Sequence, residues 1–396
     1  MYKSYLYRLY PTKEQEILLD KHFGCVRLVY NLALECKQLA YKSQTKRNFT
    51  TFDLIYQIPE LKEEFPFLKE INSHAFNAAL SNLESAYNNF FRGITKFPKY
   101  KSRKSQQSFQ CPDGSKINFE AHLLKITKFK EGIKYRGDQI FEGKIKTVTI
   151  KKTNTGKYFA SVLVDDGKEL PIKSEIQEQT TIGIDVGLKN FCVLSTGEKI
   201  NNPKFLQSQL TRLAILQRRA SRKKRGSKNQ KKAYRKVSLL HEKIKNQRTN
   251  FIHKLTSRIT CENQTIAIED LNVRGMVKNR HLSQAISDVS WSEFFRQLRY
   301  KSDWYGKNLL QIGRFEPSSK MCSCGVINNN LTLSDRTWTC ESCGVIHDRD
   351  ILAAQNIKRF ALINEFKNNT PVGSRGELLD VRCSKDRRMK EECLVT

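Results

Sequence analysis

Thr180-Thr181-Ile182-Gly183-Ile184-Asp185 reads as a buried strand that ends on an acid, and Phe191-Cys192-Val193-Leu194 follows it as a hairpin partner. The pattern returns at Thr265-Ile266-Ala267-Ile268-Glu269, a second apolar run closed by a carboxylate. Leu309-Leu310-Gln311-Ile312 reads as a further strand. Between these runs, Trp291, Phe294, Phe295, Leu298 and Tyr305 recur at helical spacing, an aromatic stripe expected to pack on a sheet. A last helix opens at Asp348 and ends near Ala361. Strands alternating with helices make this half of the chain an α/β domain.

In an open sheet, ligands gather beyond the carboxyl ends of strands, where Asp185 and Glu269 both stand. Asp350 lies in the first turn of the last helix, on the same face as Ala354, Ile357 and Ala361. A carboxylate on an apolar face is costly unless something positive pairs with it, and a metal ion is one such partner. Three converging carboxylates suit two Mg²⁺ ions and phosphodiester hydrolysis. Local alternatives stay open. Asp185 could cap the turn before Gly187, and alternation barely separates Glu269 from Asp270. Asp348 is the better helix cap, which leaves Asp350 free to face inward.

Cys322-Ser323-Cys324-Gly325 and Cys340-Glu341-Ser342-Cys343-Gly344 form two close pairs. Four thiolates satisfy a tetrahedral structural zinc and leave no open position for catalysis, while glycine after each pair permits a tight turn. Leu331-Thr332-Leu333 and Thr337-Trp338-Thr339 alternate like the two arms of a ribbon hairpin. The first pair is one residue tighter than the usual C-x-x-C. The other seven cysteines are scattered singly and read as fillers.

Towards the N-terminus, residues 2–10 read as one strand. Helical periodicity then runs from Lys13 to Lys42, with Ile17, Leu18, His22, Val26, Val29, Tyr30 and Ala33 on one stripe. A second helical tract spans Asn72 to Arg92. From Phe97 to Pro171 the signal changes to short alternating segments, such as Lys146–Lys151 and Tyr158–Val164, and reads as a small antiparallel barrel or sandwich. The first strand is expected to join it, making the helices an insertion. Asp165 to Gln179 reads as a linker.

The 396 residues carry 70 lysines and arginines against 40 acids, a net charge of +30 that calls for a polyanion. The charge concentrates between Arg218 and Lys236, including Arg222, Lys223 and Arg225, within a helical hairpin from Lys204 to Ile259. A run this long and single-signed favours phosphate contact. A second patch, Lys96, Lys99, Lys101, Arg103 and Lys104, is interleaved with Phe97 and Tyr100 and suits a backbone-tracking groove with stacking side chains. No run of 18 apolar residues is present and the N-terminus lacks a signal-peptide core, so a cytoplasmic, nucleoid-associated protein without membrane contact is expected.

In their order these motifs resemble the TnpB family of transposon-encoded RNA-guided nucleases, relatives of the type V CRISPR effectors. The carriers are Tyr7-Arg8-Leu9-Tyr10-Pro11-Thr12, Leu83-Glu84-Ser85-Ala86-Tyr87-Asn88-Asn89-Phe90-Phe91-Arg92 and Gly183-Ile184-Asp185-Val186-Gly187. Ile286-Ser287-Asp288-Val289-Ser290-Trp291, Glu316-Pro317-Ser318-Ser319-Lys320, Arg336-Thr337-Trp338-Thr339-Cys340 and His347-Asp348-Arg349-Asp350 continue the series. The resemblance implies an α/β and α+β multidomain chain. A RuvC-like RNase H fold would occupy 180–319 and 346–362, with a zinc ribbon inserted at 320–345. A β-barrel wedge domain would occupy 1–10 and 96–172 and a helical recognition lobe 11–95; the polar, charged and aperiodic composition of the last residues reads as a flexible tail, 363–396.

The resemblance also makes Asp185, Glu269 and Asp350 the catalytic acids and Mg²⁺ ligands, with Cys322, Cys324, Cys340 and Cys343 on zinc. Its partners would be a guide RNA transcribed from the transposon end and double-stranded target DNA cut beside a short motif, in a monomeric ribonucleoprotein. Base pairing would read the target. By position, Ser73, His74, Asn77 and Gln110 look like the motif readers. Two features depart from the family: the tight Cys322–Cys324 pair, and Leu352 where the family has Asn, a change expected to loosen the loop around Asp350. Neither removes an acid.

Three other readings share parts of the pattern. A guided DNA-binding repressor would be expected to have lost a carboxylate. A compact CRISPR effector would do the same chemistry, and a cut-and-paste transposase would need an end-recognition domain that is not apparent.

Overall fold

The computed structural model describes residues 1–43, 49–332 and 334–369. The chain divides into two compact units, Met1–Glu169 and the residues from Leu170 onward.

In the first unit, strand β1 (Tyr2–Tyr10) is followed by four helices: α1 (Lys13–Lys42), α2 (Thr51–Tyr56), α3 (Ile58–Glu64) and α4 (Ser73–Phe91). The chain then returns as six strands: β2 (Gln107–Cys111), β3 (Lys116–Asn118), β4 (Leu123–Ile126), β5 (Phe129–Arg136), β6 (Lys144–Lys152) and β7 (Tyr158–Asp165). The antiparallel sheet runs β2-β6-β7-β1-β5-β4-β3, which puts the N-terminal strand near its centre. Alternation along β7 drives Tyr158, Ala160, Val162 and Val164 into the core. Helix α1 starts at a reciprocal cap, Thr12 accepting from the Gln15 N–H while Gln15 reaches back. His22, Val26, Val29, Tyr30 and Ala33 of its stripe are buried, but Ile17 faces solvent: Leu19, fully buried two residues on, sets the core face, and at roughly 100° per residue Ile17 lies about 200° around the helix from it.

The second unit is built on a five-stranded sheet: β8 (Thr181–Val186), β9 (Asn190–Leu194), β10 (Lys199–Asn201), β11 (Thr265–Glu269) and β12 (Asn308–Ile312). Their order is β10-β9-β8-β11-β12, with β8, β11 and β12 parallel and β9 antiparallel to both β8 and β10. Helices α5 (Leu210–Ser221) and α6 (Lys228–Glu262) form a hairpin between β10 and β11. Short helices α7 (Val273–Met276) and α8 (Ser283–Val289) lead into α9 (Trp291–Trp304). A two-stranded ribbon, β13 (Thr337–Thr339) with β14 (Ile346–Asp348), precedes α10 (Arg349–Asn369).

Residue parity assigns the two faces of this sheet. Ile182, Ile184, Ile266 and Ile268 pack with Ile252, Leu255 and Ile259 of α6 and with Trp291, Phe294 and Leu298 of α9. Ala267, on the opposite face, packs with Ile357, Phe360 and Ala361 of α10. A polar clasp ties α6 to α9: the buried Lys301 ammonium donates to the His253 carbonyl at 2.9 Å, Thr256 Oγ1 at 2.7 Å and Ser257 Oγ at 2.8 Å. With three partners its three protons are satisfied, which is what makes a buried lysine tolerable.

Three expectations from the sequence change. Tyr305 lies just past the end of α9 and is exposed, so the aromatic stripe stops earlier. The partner of Thr337–Thr339 is Ile346–Asp348 instead of 331–333, with Trp338 opposite His347; Leu333 lies outside the described residues. The last helix continues to Asn369, with Leu362 still buried one residue past the expected end; of the expected tail, residues 370–396 lie outside the described residues.

Candidate active site and metal centre

Asp185 and Glu269 follow immediately after Ile184 and Ile268, which are register partners on the parallel strands β8 and β11. The two acids therefore stand at the same level of neighbouring strands and point to the same face. That is the face of Gly183 and Ala267, the one α10 covers. At Gly183 helix and strand touch backbone to backbone: a Cβ there would lie 2.1 Å from the Ala354 carbonyl oxygen. Asp350 is one turn before Ala354 on α10, which sets it above Gly183 on the side of Asp185.

The charges interact. Burial, and after it the negative charges of Asp350 and Glu269, push the Asp185 carboxyl up to about 7. Burial and the neighbouring Asp270 raise Glu269 as well. Neither Asp185 nor Glu269 has an ion-pair partner among the described residues. Asp350 accepts from Arg336 at 3.4 Å. The carboxylates share a face yet are spaced more widely than the cysteines, the one group among the described residues whose ligand atoms all lie within 4.8 Å of one another.

Both local ambiguities acquire a geometry. Asp270 is engaged by Arg314 at 2.7 Å and Gln311 at 3.1 Å on the exposed edge, away from Asp185. Asp348 caps α10, accepting from the N–H groups of Asp350 at 3.1 Å and Ile351 at 3.2 Å, and is held by Lys199 of β10.

Cys322, Cys324, Cys340 and Cys343 converge, with sulfur–sulfur separations of 3.5 Å for Cys322–Cys343 and 3.6 Å for Cys324–Cys340. The tight spacing of the first pair does not keep it out. The Cys340 N–H closes its loop on the Val345 carbonyl, five residues on, whereas the Cys322 N–H closes on Val326, four residues on. Both loops end in the same kind of bond, so the missing residue comes out of the turn. Gly325 (φ 93°) and Gly344 (φ 71°) supply the left-handed backbone that each turn needs. Leu352 tightens the region instead of loosening it: it is 3% exposed and packs with Cys322, Trp338, Cys340 and Leu331. Arg349 adds a hydrogen bond to the Thr332 carbonyl at 2.6 Å.

Arg218, Arg222, Lys223 and Arg225 are all exposed around the α5–α6 turn. Leu213, Ala220, Val237, Leu240 and Ile244 hold the hairpin together underneath them. In the first unit Ser73 receives a hydrogen bond from Lys62, and His74 approaches Asp113 at 3.5 Å. Asn77 is partly exposed on α4, and Gln110 of β2 accepts from Asn82 of α4 at 3.1 Å. Arg103 is exposed. Lys101 differs: its ammonium sits 3.6 Å over the Tyr30 ring and burial lowers its pKa, so its charge is spent inside the fold. The sequence motifs contain Arg336 and His347 but assign neither a role, and they do not show the contact role of Gly183. The short apolar-glycine-apolar run ahead of Asp185 was the one available signal for the last.

Three family descriptions match: "Probable transposase" over residues 161–280, "Cas12f1-like, TNB domain" over 291–357, and "Helix-turn-helix domain" over 1–46. The last name does not fit the geometry here, where those residues form strand β1 and the single long helix α1. A protein of Streptomyces pristinaespiralis named "Putative RNA-guided DNA endonuclease" is 41% identical over 359 residues, covering 90% of this chain and 88% of the relative. The Escherichia coli K12 protein named "Putative RNA-guided DNA endonuclease InsQ" is 29% identical, covering 90% of this chain and 91% of its own. Among solved structures, the one titled "Cryo-EM structure of the Cas12f1-sgRNA-target DNA complex" matches with a TM-score of 0.56 at 14% identity, covering 90% of this chain and 98% of that one, a likeness of fold. Sequence identity of this extent, over nearly the whole length of both proteins, decides kinship: this chain belongs to the TnpB family.

Proposed function

We propose that this chain is an RNA-guided endonuclease of a transposon, cutting double-stranded DNA beside a short target-adjacent motif. One observation carries the reading: Asp185 and Glu269 stand level on one sheet face with Asp350 on the helix above them. The strand order, with β9 alone running against the other four, supports a RuvC-like RNase H fold for the second unit. The seven-stranded sheet takes the part of the wedge barrel, and α1–α4 that of the recognition lobe.

The donor set fits magnesium. Asp185, Glu269 and Asp350 offer oxygen alone, and Asp185 and Glu269 are uncompensated. Mg²⁺ held there supplies an activated water and a stabilised leaving oxygen. The remaining work belongs to side chains of this chain. Gly183 sets how closely α10 approaches and so where Asp350 stands, while Asp348 and Lys199 fix the start of that helix. Arg336 brings a guanidinium to the rim, where it offsets the charge of an arriving phosphate. The cysteine cluster fits zinc: Zn–S bonds of about 2.3 Å imply sulfurs about 3.8 Å apart in a tetrahedron. Arg218, Arg222, Lys223 and Arg225 would grip guide or target backbone, with Arg103 in support. Ser73, His74, Asn77 and Gln110 would read the target-adjacent motif.

The test begins with co-expression beside the native flanking element and sequencing of the RNA that co-purifies. That RNA, Mg²⁺ and a matched plasmid should give linear product. Asp185→Ala should abolish cleavage and keep guided DNA binding; equal cleavage by the variant refutes the site. Wild-type protein that binds its target without ever cutting it would make the chain a repressor.

A further inference from the structure

Within the cysteine cluster the sulfurs are unequally placed. Cys322 and Cys340 are buried, whereas Cys324 and Cys343 reach solvent. Four thiolates around one dication leave a net charge of about −2. Water can hydrate the outer pair, but the inner pair needs donors from the protein. Cys322 has one in a side chain: His347 Nε2 lies 3.0 Å from its sulfur, in a buried contact.

The surroundings fix that imidazole. His347 is 8% exposed, stands opposite Trp338 in the β13–β14 ribbon, and packs on the indole with ring centroids 4.8 Å apart. It is not among the ligand atoms that all lie within 4.8 Å of one another, and the cysteine it touches at hydrogen-bond distance is Cys322. A metal-bound thiolate carries no proton, so in such a contact the nitrogen must donate, which sets the tautomer with hydrogen on Nε2. His347 also directly precedes Asp348, the cap of α10, and stands three residues before Asp350.

We infer that His347 is the hydrogen-bond donor that supports the buried sulfur of the ribbon metal, and that through it metal occupancy holds the strand leading into Asp350. The inference rests on the reading of the cysteine cluster as a zinc site. Groups that hold a metal's ligands in place commonly govern affinity by 10–100-fold.

The test uses the full-length chain and compares His347→Leu, which keeps bulk against Trp338 and removes the donor, with His347→Gln, which keeps an N–H at similar reach. Zinc affinity is measured by competition with a chromogenic chelator, and Co²⁺ spectra report the ligand set. H347L should bind zinc about 10–100-fold more weakly, and H347Q should recover most of that loss. All three proteins should show the same four-sulfur Co²⁺ spectrum. Cleavage by H347L should fall at limiting zinc and return at saturating zinc. Affinity of H347L within about twofold of wild type overturns the inference, as does a nitrogen ligand in the wild-type Co²⁺ spectrum that H347L loses. Should H347L fail to fold, H347Q decides: affinity as weak as that of His347→Asn, whose amide stops one bond short, overturns it too. A wild-type chain that takes up no Co²⁺ at all overturns the zinc reading along with the inference, and nuclease assays then judge the acid site separately.

Discussion

Asp185 and Glu269 stand on strands whose far face is buried among isoleucines and phenylalanines of α6 and α9, and whose near face is closed by α10 against Gly183. Cys322 and Cys340 stand in a ribbon whose own core amounts to Trp338, with Leu331 at its edge and Leu352 lent by α10. On the proposed reading, the first region places its ligands by packing, before any ion arrives, whereas the second buries too little apolar surface to stay ordered alone and would take its order from the bonds of its cysteines to a metal. The difference teaches where each region breaks. The acid site should keep its shape when a ligand is deleted and lose only chemistry, whereas the ribbon should lose shape along with its metal.

Glu269→Gln gives the largest expected effect: cleavage down about a thousandfold or more, since one metal-binding charge is worth several kcal/mol in the transition state, with thermal stability kept or raised as repulsion with Asp185 is relieved. A variant that unfolds instead would show that the acids hold the sheet together. Cys340→Ser should come next. Zinc content by elemental analysis should fall to near zero, proteolysis should open the segment around 322–345, and cleavage should drop about 10–100-fold. Intact resistance to protease without zinc would erase the contrast between the two regions. Gly183→Ala should cost about 1–3 kcal/mol in denaturant unfolding, because its methyl meets backbone that cannot move aside. A neutral result would mean that α10 does not press on the strand. Asp270→Asn should do least: its pair with Arg314 is exposed, so a loss of less than about 1 kcal/mol and unchanged cleavage are expected. A cleavage defect equal to that of Glu269→Gln would reassign the acid.

The sequence made the acid-bearing strands legible because an apolar run ending in a carboxylate is a pattern in neighbouring residues. Asp185, Glu269 and the cysteine pairs announce themselves that way. Local alternation did not separate Glu269 from Asp270, a choice only the family resemblance made; in the structure Arg314 takes Asp270 at the sheet edge, a contact across 44 residues. The ribbon pairing was misjudged for a similar reason. Thr337–Thr339 alternates equally well against either neighbour, and the choice of Ile346–Asp348 comes from the position of the second cysteine knuckle between them. Leu352 read as a departure from the family pattern and proved to be a core residue, because burial there depends on Trp338 from another element. The stacking of the Lys101 ammonium on Tyr30 was equally illegible, since the two residues are 71 positions apart in the chain.

Helix α6 has 35 residues: its C-terminal part is gripped by the sheet and by the Lys301 clasp, while nearer its N-terminus Val237, Leu240 and Ile244 pack only within the hairpin with α5. From Ile252 to Lys228 it runs about 36 Å at 1.5 Å per residue. It is thus a lever arm with its pivot in the core and a charged tip. A rocking of about 5° at the pivot carries Arg222, Lys223 and Arg225 through roughly 3 Å, about the reach of one hydrogen bond. The grip of that tip on a nucleic-acid backbone is therefore set as much by the stiffness of the threonines and the lysine at its root as by the arginines that make contact.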